Sequence, residues 1–431
     1  MMAQPIALPG PHDVARRVLP NGIAVLVREH WQVQSVVVNG WVEVGSLLDP
    51  VGQEGLASFV AEMLMRGTER RNFQAIHEWL ESYGASLDVS AGRHSTGFAG
   101  RSLAEDLPML IDLLADALRR PVFPAEQIER LRGQLVTAIK IREQDTEYVA
   151  SRLFREIVYK NGHPYSRPVD GTVETVSRFS RDQLVEFHRA HYGPRQMAIV
   201  IVGAVATETV FRLVEEYFGD WENVHQPFPP ALPPVEQLTT IERRKAILPG
   251  KSQADVVLGT SGPSRFAPDW TAATLANHIL GVFGMYGRIG ARVREQLGMA
   301  YYSYSRLDGG PGPGPWRVVA GVNPANVEQA VSVIQDELRR ITQEPVSEEE
   351  LEDSKSNYIG RLPLQLESNE GVAGALLNIE RYQLGLDYLL RYSDEISEVT
   401  TEQVLAAARH YLNPDAFALA VAGPDHDDLS A

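Results

Sequence analysis

Two well-separated stretches of the chain recur further along at one fixed spacing. The segment "ALRRPVFPAEQIERLRGQLV" (117–136) parallels "ELRRITQEPVSEEELEDSKSNY" (337–358), with Arg119 and Arg120 opposite Arg339 and Arg340 at an offset of 220. "HRAHYGPRQMAIVIVGAV" (188–205) parallels "AARHYLNPDAFALAVAGPD" (407–425), with Pro194 opposite Pro414 and Gly203 opposite Gly423, again 220 apart. One offset shared by distant segments marks a duplication, so the chain should hold two copies of a unit of roughly 200 residues, each large enough for its own core. Between the copies lies "HQPFPPALPPVEQ" (225–237), with five prolines in thirteen residues. Such a run is stiff and extended, a linker rather than part of a core. The expected organisation is a first domain over 1–224, a linker over 225–238 and a second domain over 239–431.

Inside the first copy, strand and helix periods alternate. "GIAVLVRE" and "VQSVVVNGWVEVG" read as strands after a Pro-Asn-Gly turn, and "MAIVIVGAV" as a buried β-branched strand. "FQAIHEWLESYG" reads as a helix capped by Gly84. "DLPMLIDLLADALRR" and "PAEQIERLRGQLVTAIKIREQ" read as long amphipathic helices. "ASLDVSAGRHSTGFAG" alternates weakly and suggests one edge or bent strand. The fold class expected is α+β, each copy a mostly antiparallel sheet with helices on one face.

Composition removes several functions. A formal charge of −16 argues against nucleic acid, which needs clustered Lys and Arg. With no cysteine there is no thiolate nucleophile, Cys zinc site or disulfide. No stretch is apolar enough to span a bilayer, and "MMAQPIALPG" lacks the charged and apolar regions of a signal peptide. Since an expression Met could replace a cleaved signal, the expected compartment is periplasmic if one was removed and cytoplasmic otherwise.

The stretch "EGLASFVAEMLMRGT" (54–68) carries Leu56, Phe59, Val60, Met63 and Leu64 on one apolar stripe. Ser58, Ala61 and Glu62 fall together on the other side, at the i, i+3, i+4 spacing where a helical zinc peptidase carries its ligands and base. Taken alone, this is the solvated face of an ordinary helix.

The surroundings change that reading. "VEVGSLLDPVGQEGLASFVAEMLMRGT", "NGHPYSRPVDGT", the duplicated unit and the Pro-rich hinge resemble the M16 (pitrilysin-like) metallopeptidases, the bacterial and mitochondrial-processing-peptidase branch above all, over nearly the whole chain. The resemblance implies a half-shell of two homologous units, two half-shells around a chamber, and an inverted H-x-x-E-H zinc motif on the first helix. The motif's positions fall on Ser58, Ala61 and Glu62, and the family's third ligand aligns with Ala138. A catalytic zinc needs three protein ligands and an open position, which this set does not supply. Ala61 could not deprotonate a metal-bound water either. The expectation is a chain with no catalytic metal of its own, inactive alone.

"GVFGMYGRIGARVREQLGMAYYSYS" (281–305) resembles the family segment in which an Arg, and a Tyr seven residues on, face substrate. Arg294 and Tyr301 keep that spacing, with Arg292 and Tyr302 as the competing assignments. In isolation they would read as a surface Arg and a core Tyr. The guanidinium could fork onto a carbonyl or carboxylate and the phenol donate to a developing oxyanion. The expected function is the zinc-less subunit of a heterodimeric endopeptidase. Its partner would be an M16 homologue with intact H-x-x-E-H and zinc, and its substrate a peptide or unfolded polypeptide added as a strand at a sheet edge. A scaffold without catalytic share, or a stand-alone peptide-binding shell, are the alternatives. His188, His191, His163 and His278 are read as structural, "PDHDDLS" as an acidic tail, and "GGPGPGP" (309–315) as a rigid loop rather than a phosphate cradle.

Overall fold

The computed structural model describes residues 8–282 and 287–425. The opening seven residues, residues 283–286 of the Arg/Tyr segment and the tail from residue 426 lie outside the described residues. In chain order the first half contains β1 (Val14–Val18), β2 (Ala24–Glu29), β3 (Ser35–Val42), α1 (Leu56–Met63), α2 (Phe73–Ser82), β4 (Ser86–Ala91) and β5 (Thr96–Leu103). It continues with α3 (Leu107–Arg119), α4 (Ala125–Arg142), α5 (Thr146–Val158), α6 (Val173–Arg178), α7 (Arg181–His191), β6 (Ala198–Gly203) and α8 (Thr207–Phe218). The second half holds β7 (Glu242–Ile247), β8 (Ala254–Ser261), α9 (Trp270–Asn277), β9 (Ala300–Leu307), β10 (Pro315–Val322) and α10 (Val327–Gln343). It closes with α11 (Glu348–Gln365), α12 (Asn369–Tyr382), α13 (Tyr388–Ser397), α14 (Thr401–Tyr411) and β11 (Ala418–Gly423). Among the described residues no helix is long and apolar enough to cross a membrane.

The duplication is written into the sheets. The first runs β1-β2-β6-β3-β5-β4 and the second β7-β11-β8-β10-β9. Dropping the extra edge strand β1, the orders superpose element for element, down to the single parallel pair in the second sheet (β7 with β11) and its counterpart β2 with β6. Local signals repeat as well. Ser180 and Gln183 form a capping box at α7, and Thr400 and Gln403 form the same box 220 residues on at α14. Gly84 and Gly298 follow equivalent helical segments with φ of 57° and 60°, a left-handed stop that a side chain would disfavour.

One expected strand is two. Residues 85–100 turn through Gly92, whose N–H bonds to the Ser95 carbonyl, so β4 is an edge strand and β5 pairs inside the sheet with β3. The weak alternation concealed this because Gly97 and Gly100 interrupt the apolar pattern of β5.

The compact units are not contiguous in sequence. One comprises residues 1–139, 168–231 and 361–391; the other comprises 140–167, 232–360 and 392–431. The repeat therefore divides near the Pro-rich run, whereas packing exchanges two segments. The reason is burial on both faces. In β6 all six residues are buried. Ile199 and Ile201 join the core under α1, α3, α7 and α8, while Val200 and Val202, pointing the opposite way, are equally inaccessible. The cover on that second face is α12, from the other half of the sequence, which lies against β6 and β3. It is fastened by the Arg16 fork on Glu380 (2.8 Å each), by His30 Nδ1 at 2.7 Å from Asn369, and by Arg381, 4.3 Å above the Trp41 ring. In the second unit α5 plays the same part on β11, β8 and β7. There Thr146 and Tyr302 both donate to Asp255, and Tyr304 donates to Glu147 at 2.7 Å.

This exchange predicts how the chain can be cut. A fragment of residues 1–224 lacks α12 and should expose the face formed by Leu26, Val37, Val200 and Val202, all at most 1% accessible in the full chain. It is expected to aggregate on expression and to gain solubility when a segment spanning 361–391 is co-expressed. A fragment that stays monomeric and melts cooperatively on its own would contradict the exchanged packing.

Candidate functional site

In the first unit, α1 is a core element before it is anything else. Asp49, itself buried, accepts from the Gly55 and Ala57 N–H groups at 2.8 and 2.7 Å, satisfying donors that a helix start leaves open. Leu56, Phe59, Val60 and Met63 are fully sequestered, and Phe59 meets the Phe179 ring edge-on at 5.7 Å. A 3₁₀ turn over Leu64–Arg66 and Gly67, at φ 146°, end the segment sooner than its apolar stripe suggests.

The opposite side is not a solvated face. Ser58 is 5% exposed and Ala61 0%, with only Glu62 partly open. The Ser58 hydroxyl donates to Asp170 Oδ1 at 3.2 Å. Ala138, on α4, is exposed and carries no donor atom. Tested against zinc, this set fails. It offers one hydroxyl already committed to a carboxylate, two methyl groups and one carboxylate, against the three ligands a catalytic zinc requires. Among the described residues no group of three or more His, Cys, Asp and Glu is disposed to hold a metal ion. The residues that do line up along these helices are ones sequence reasoning passed over. Arg66 lies one turn beyond Glu62, and Arg66 Nη2 donates to Gln134, one turn before Ala138, at 2.9 Å. Stepping the same stripe by four residues would have found both.

In the second unit, Arg294 and Tyr301 sit on two local irregularities. Arg294 lies in a wide (π) turn over Gly290–Gln296. Its start is anchored by Arg288, whose Nε and Nη2 both reach Glu350 at 2.7 Å. Tyr301 sits where the β9–β10 register slips between Gly321 and Val322, so it is the extra residue of a bulge on an edge strand. Arg294 is exposed, Tyr301 is 76% exposed, and neither has a side-chain partner among the described residues. Their neighbours differ. Arg292 donates to the wholly buried Glu337 at 2.9 Å, and Tyr302 is held by Asp255, which with burial raises its phenol well above the ordinary value. Burial likewise pushes the Asp255 carboxyl up, against the hydrogen bonds it accepts from Thr146, Tyr302 and Gln253.

The remaining candidates are structural. His188 donates Nε2–H to the Leu118 carbonyl at 2.9 Å and stacks on Tyr192; burial holds its imidazole down at about 4. His191 packs on Phe187 at the α7 terminus. His163 Nδ1 accepts from the Tyr165 N–H, leaving Nε2–H for the Pro233 carbonyl of the linker, and His278 bonds to Ser354 at 2.8 Å. The 309–315 loop joins β9 to β10. Tyr159 donates to its Pro313 carbonyl at 2.9 Å, and a Cβ on Gly309 would lie 2.5 Å from the Trp270 ring.

The chain is built from one α+β unit written twice, with matching sheet orders. Profiles of the Insulinase (Peptidase family M16) domain and of the Peptidase M16 inactive domain match residues 24–172 and 178–358. A zinc protease of Mycobacterium leprae is 30% identical, the alignment covering 95% of this chain and 92% of that one. The β subunit of the mitochondrial processing peptidase of Saccharomyces cerevisiae is 26% identical over 82% of this chain and 79% of its own length. Among solved structures, a peptidase M16 inactive domain from Pseudomonas fluorescens superposes with a TM-score of 0.85 at 26% identity, covering 96% of this chain and 98% of that one. A Helicobacter pylori protease superposes with a TM-score of 0.87 at 18% identity, covering 97% of this chain and 100% of that one, and shows the fold alone. The chain belongs to the M16 peptidase family.

The Arg288–Glu350 pair yields a pH test. Burial works to raise the Glu350 carboxyl, but the Arg288 fork and the Ser347 N–H outweigh it and hold the group at about 2. A carboxylate depressed in the fold stabilises it above its unfolded value of 4.5 and loses that contribution as pH falls toward 2. The pair is partly open to solvent, so the contribution is on the order of 1 kcal/mol. Thermal melts of Glu350→Gln should start lower at neutral pH and show a flatter decline between pH 4.5 and 2 than the parent; parallel pH curves would contradict it.

Proposed function

We propose that this chain is the zinc-less half of a two-chain M16 endopeptidase, gripping peptide with Arg294 and Tyr301 beside a homologous partner that carries an intact H-x-x-E-H helix. What supports the reading is one contrast. The neighbouring Arg292 and Tyr302 are both committed to carboxylates, while Arg294 and Tyr301 project from a wide helical turn and a strand bulge without side-chain partners among the described residues. An exposed phenol and guanidinium contribute little to a fold, but they are the donors that a peptide carbonyl gaining charge requires. The partner would bring zinc, which polarises the carbonyl and makes bound water acidic. In this chain Arg294 would fork onto a carbonyl or carboxylate of the peptide, and the Tyr301 hydroxyl would donate to the oxygen under attack. The edge strands offer open backbone N–H and C=O groups along which an unfolded segment can lie.

A mixing experiment tests this. With a quenched peptide, neither this chain nor the intact-motif homologue should cleave efficiently alone, and activity should appear on mixing. Arg294→Ala or Tyr301→Phe should cost about 10²–10³ in rate without loss of association. Full activity of the mixture carrying either variant would leave the chain a scaffold. Cleavage by the purified chain alone would remove the proposal altogether.

A further inference from the structure

The surface where the turn after α1 meets α4, beside Glu62 and Ala138, is not chemically blank. Arg66, four residues beyond Glu62, donates to Gln134 of α4 at 2.9 Å, and Arg130 lies one turn before Gln134. Phe73, partly exposed, lies beneath two guanidiniums, that of Arg66 at 5.6 Å and that of Arg130 at 5.4 Å from the ring centroid. Burial holds Arg66 below its ordinary value, with Glu62 pulling it up and Arg130 pushing it down, so the two cations sense each other. Arg130 is exposed and has no acceptor among the described residues. Counting Glu62 against the two arginines, this patch carries an excess of one positive charge in a chain whose formal charge is −16. Two guanidiniums beside an aromatic platform are what a single carboxylate fits, since each can donate to one of its oxygens while the ring excludes water from below.

We propose that this patch is a carboxylate-binding subsite for peptide, in which Arg66 and Arg130 receive an acidic side chain or a free C-terminus over Phe73. The inference rests on the peptide-binding reading above and adds to it a carboxylate contact beyond the one open to Arg294. Arg66, tied to Gln134, is the fixed half of the site, and Arg130 is the half free to close on the ligand.

The test uses the full chain and fluorescent, unstructured peptides matched in length. One is neutral with an amidated C-terminus, one differs only in a free C-terminal carboxylate, and one only in an internal Glu. At least one acidic peptide should bind about tenfold tighter than the neutral one, the gain of one charge-assisted pair. Whichever does so identifies terminus or side chain as the source. Arg130→Gln should abolish the difference, and Arg130→Glu should reverse it in favour of a peptide with an internal Lys. Arg189→Glu, an equal charge reversal on an exposed residue of the same unit, should leave it intact. Equal affinity for all three peptides, or a preference that survives both Arg130 variants or is lost in Arg189→Glu, would overturn the subsite while leaving peptide binding standing. Failure to bind any of them would overturn both.

Discussion

A central strand buried on both faces cannot be covered by one layer of helices, and the rest of this molecule follows from that. Each sheet has its main helical layer on one side and needs an apolar lid on the other. The sequence supplies it by sending one helix out of each copy, α5 to the second sheet and α12 to the first. Burial of this kind is worth roughly 25 cal/mol per Å² of apolar surface, and both lids are anchored by charged or polar fastenings at their ends. The consequence is that neither copy is complete without the other. A lineage could discard catalytic side chains from one copy and still retain both, because each copy carries part of the other's core.

The same logic explains why α1 is held in place whatever its other side carries. α1 contributes Leu56, Phe59, Val60 and Met63 to the first core, so its removal would open a cavity far more costly than the loss of three polar side chains. The packing stripe and the Ser58–Glu62 side occupy different faces. On the latter Ser58 and Ala61 present small buried groups, the Ser58 hydroxyl donates to Asp170, and Arg66 with Gln134 ties the end of the segment to α4.

Much of this was legible in the residues. The offset of 220 anticipated the matching sheet orders, because turn glycines, capping boxes and β-branched runs are local signals that survive duplication. That Ser58, Ala61 and Glu62 share one side of α1 was legible through helical spacing, whereas Ala138 was reached only through the family resemblance. The exchange of α5 and α12 was not, because amphipathic period says which face a helix buries and not against which sheet. The β4–β5 turn was hidden by glycines that blur a period of two. Arg66 and Arg130 escaped notice because a lone arginine on a helix is ordinarily a solvated one. Their meaning comes from sharing Phe73, a contact between residues nearly sixty positions apart that no local pattern encodes.

The two copies also serve as controls for each other. In the first, α2 is a regular α-helix capped by Asn72, and β4 pairs with β5 without a slip. In the second, the equivalent stretch is a wide turn followed by a bulged strand, and these carry Arg294 and Tyr301. The architecture therefore does not demand the irregularities, since the first copy is built without them. Wide turns and bulges sacrifice regular hydrogen bonding and re-aim side chains. Here they leave two donors exposed and, among the described residues, without side-chain partners, and Arg288, clamped by Glu350, holds the turn in place. The copies thus differ, at the two positions that present a guanidinium and a phenol, in a way that packing does not require.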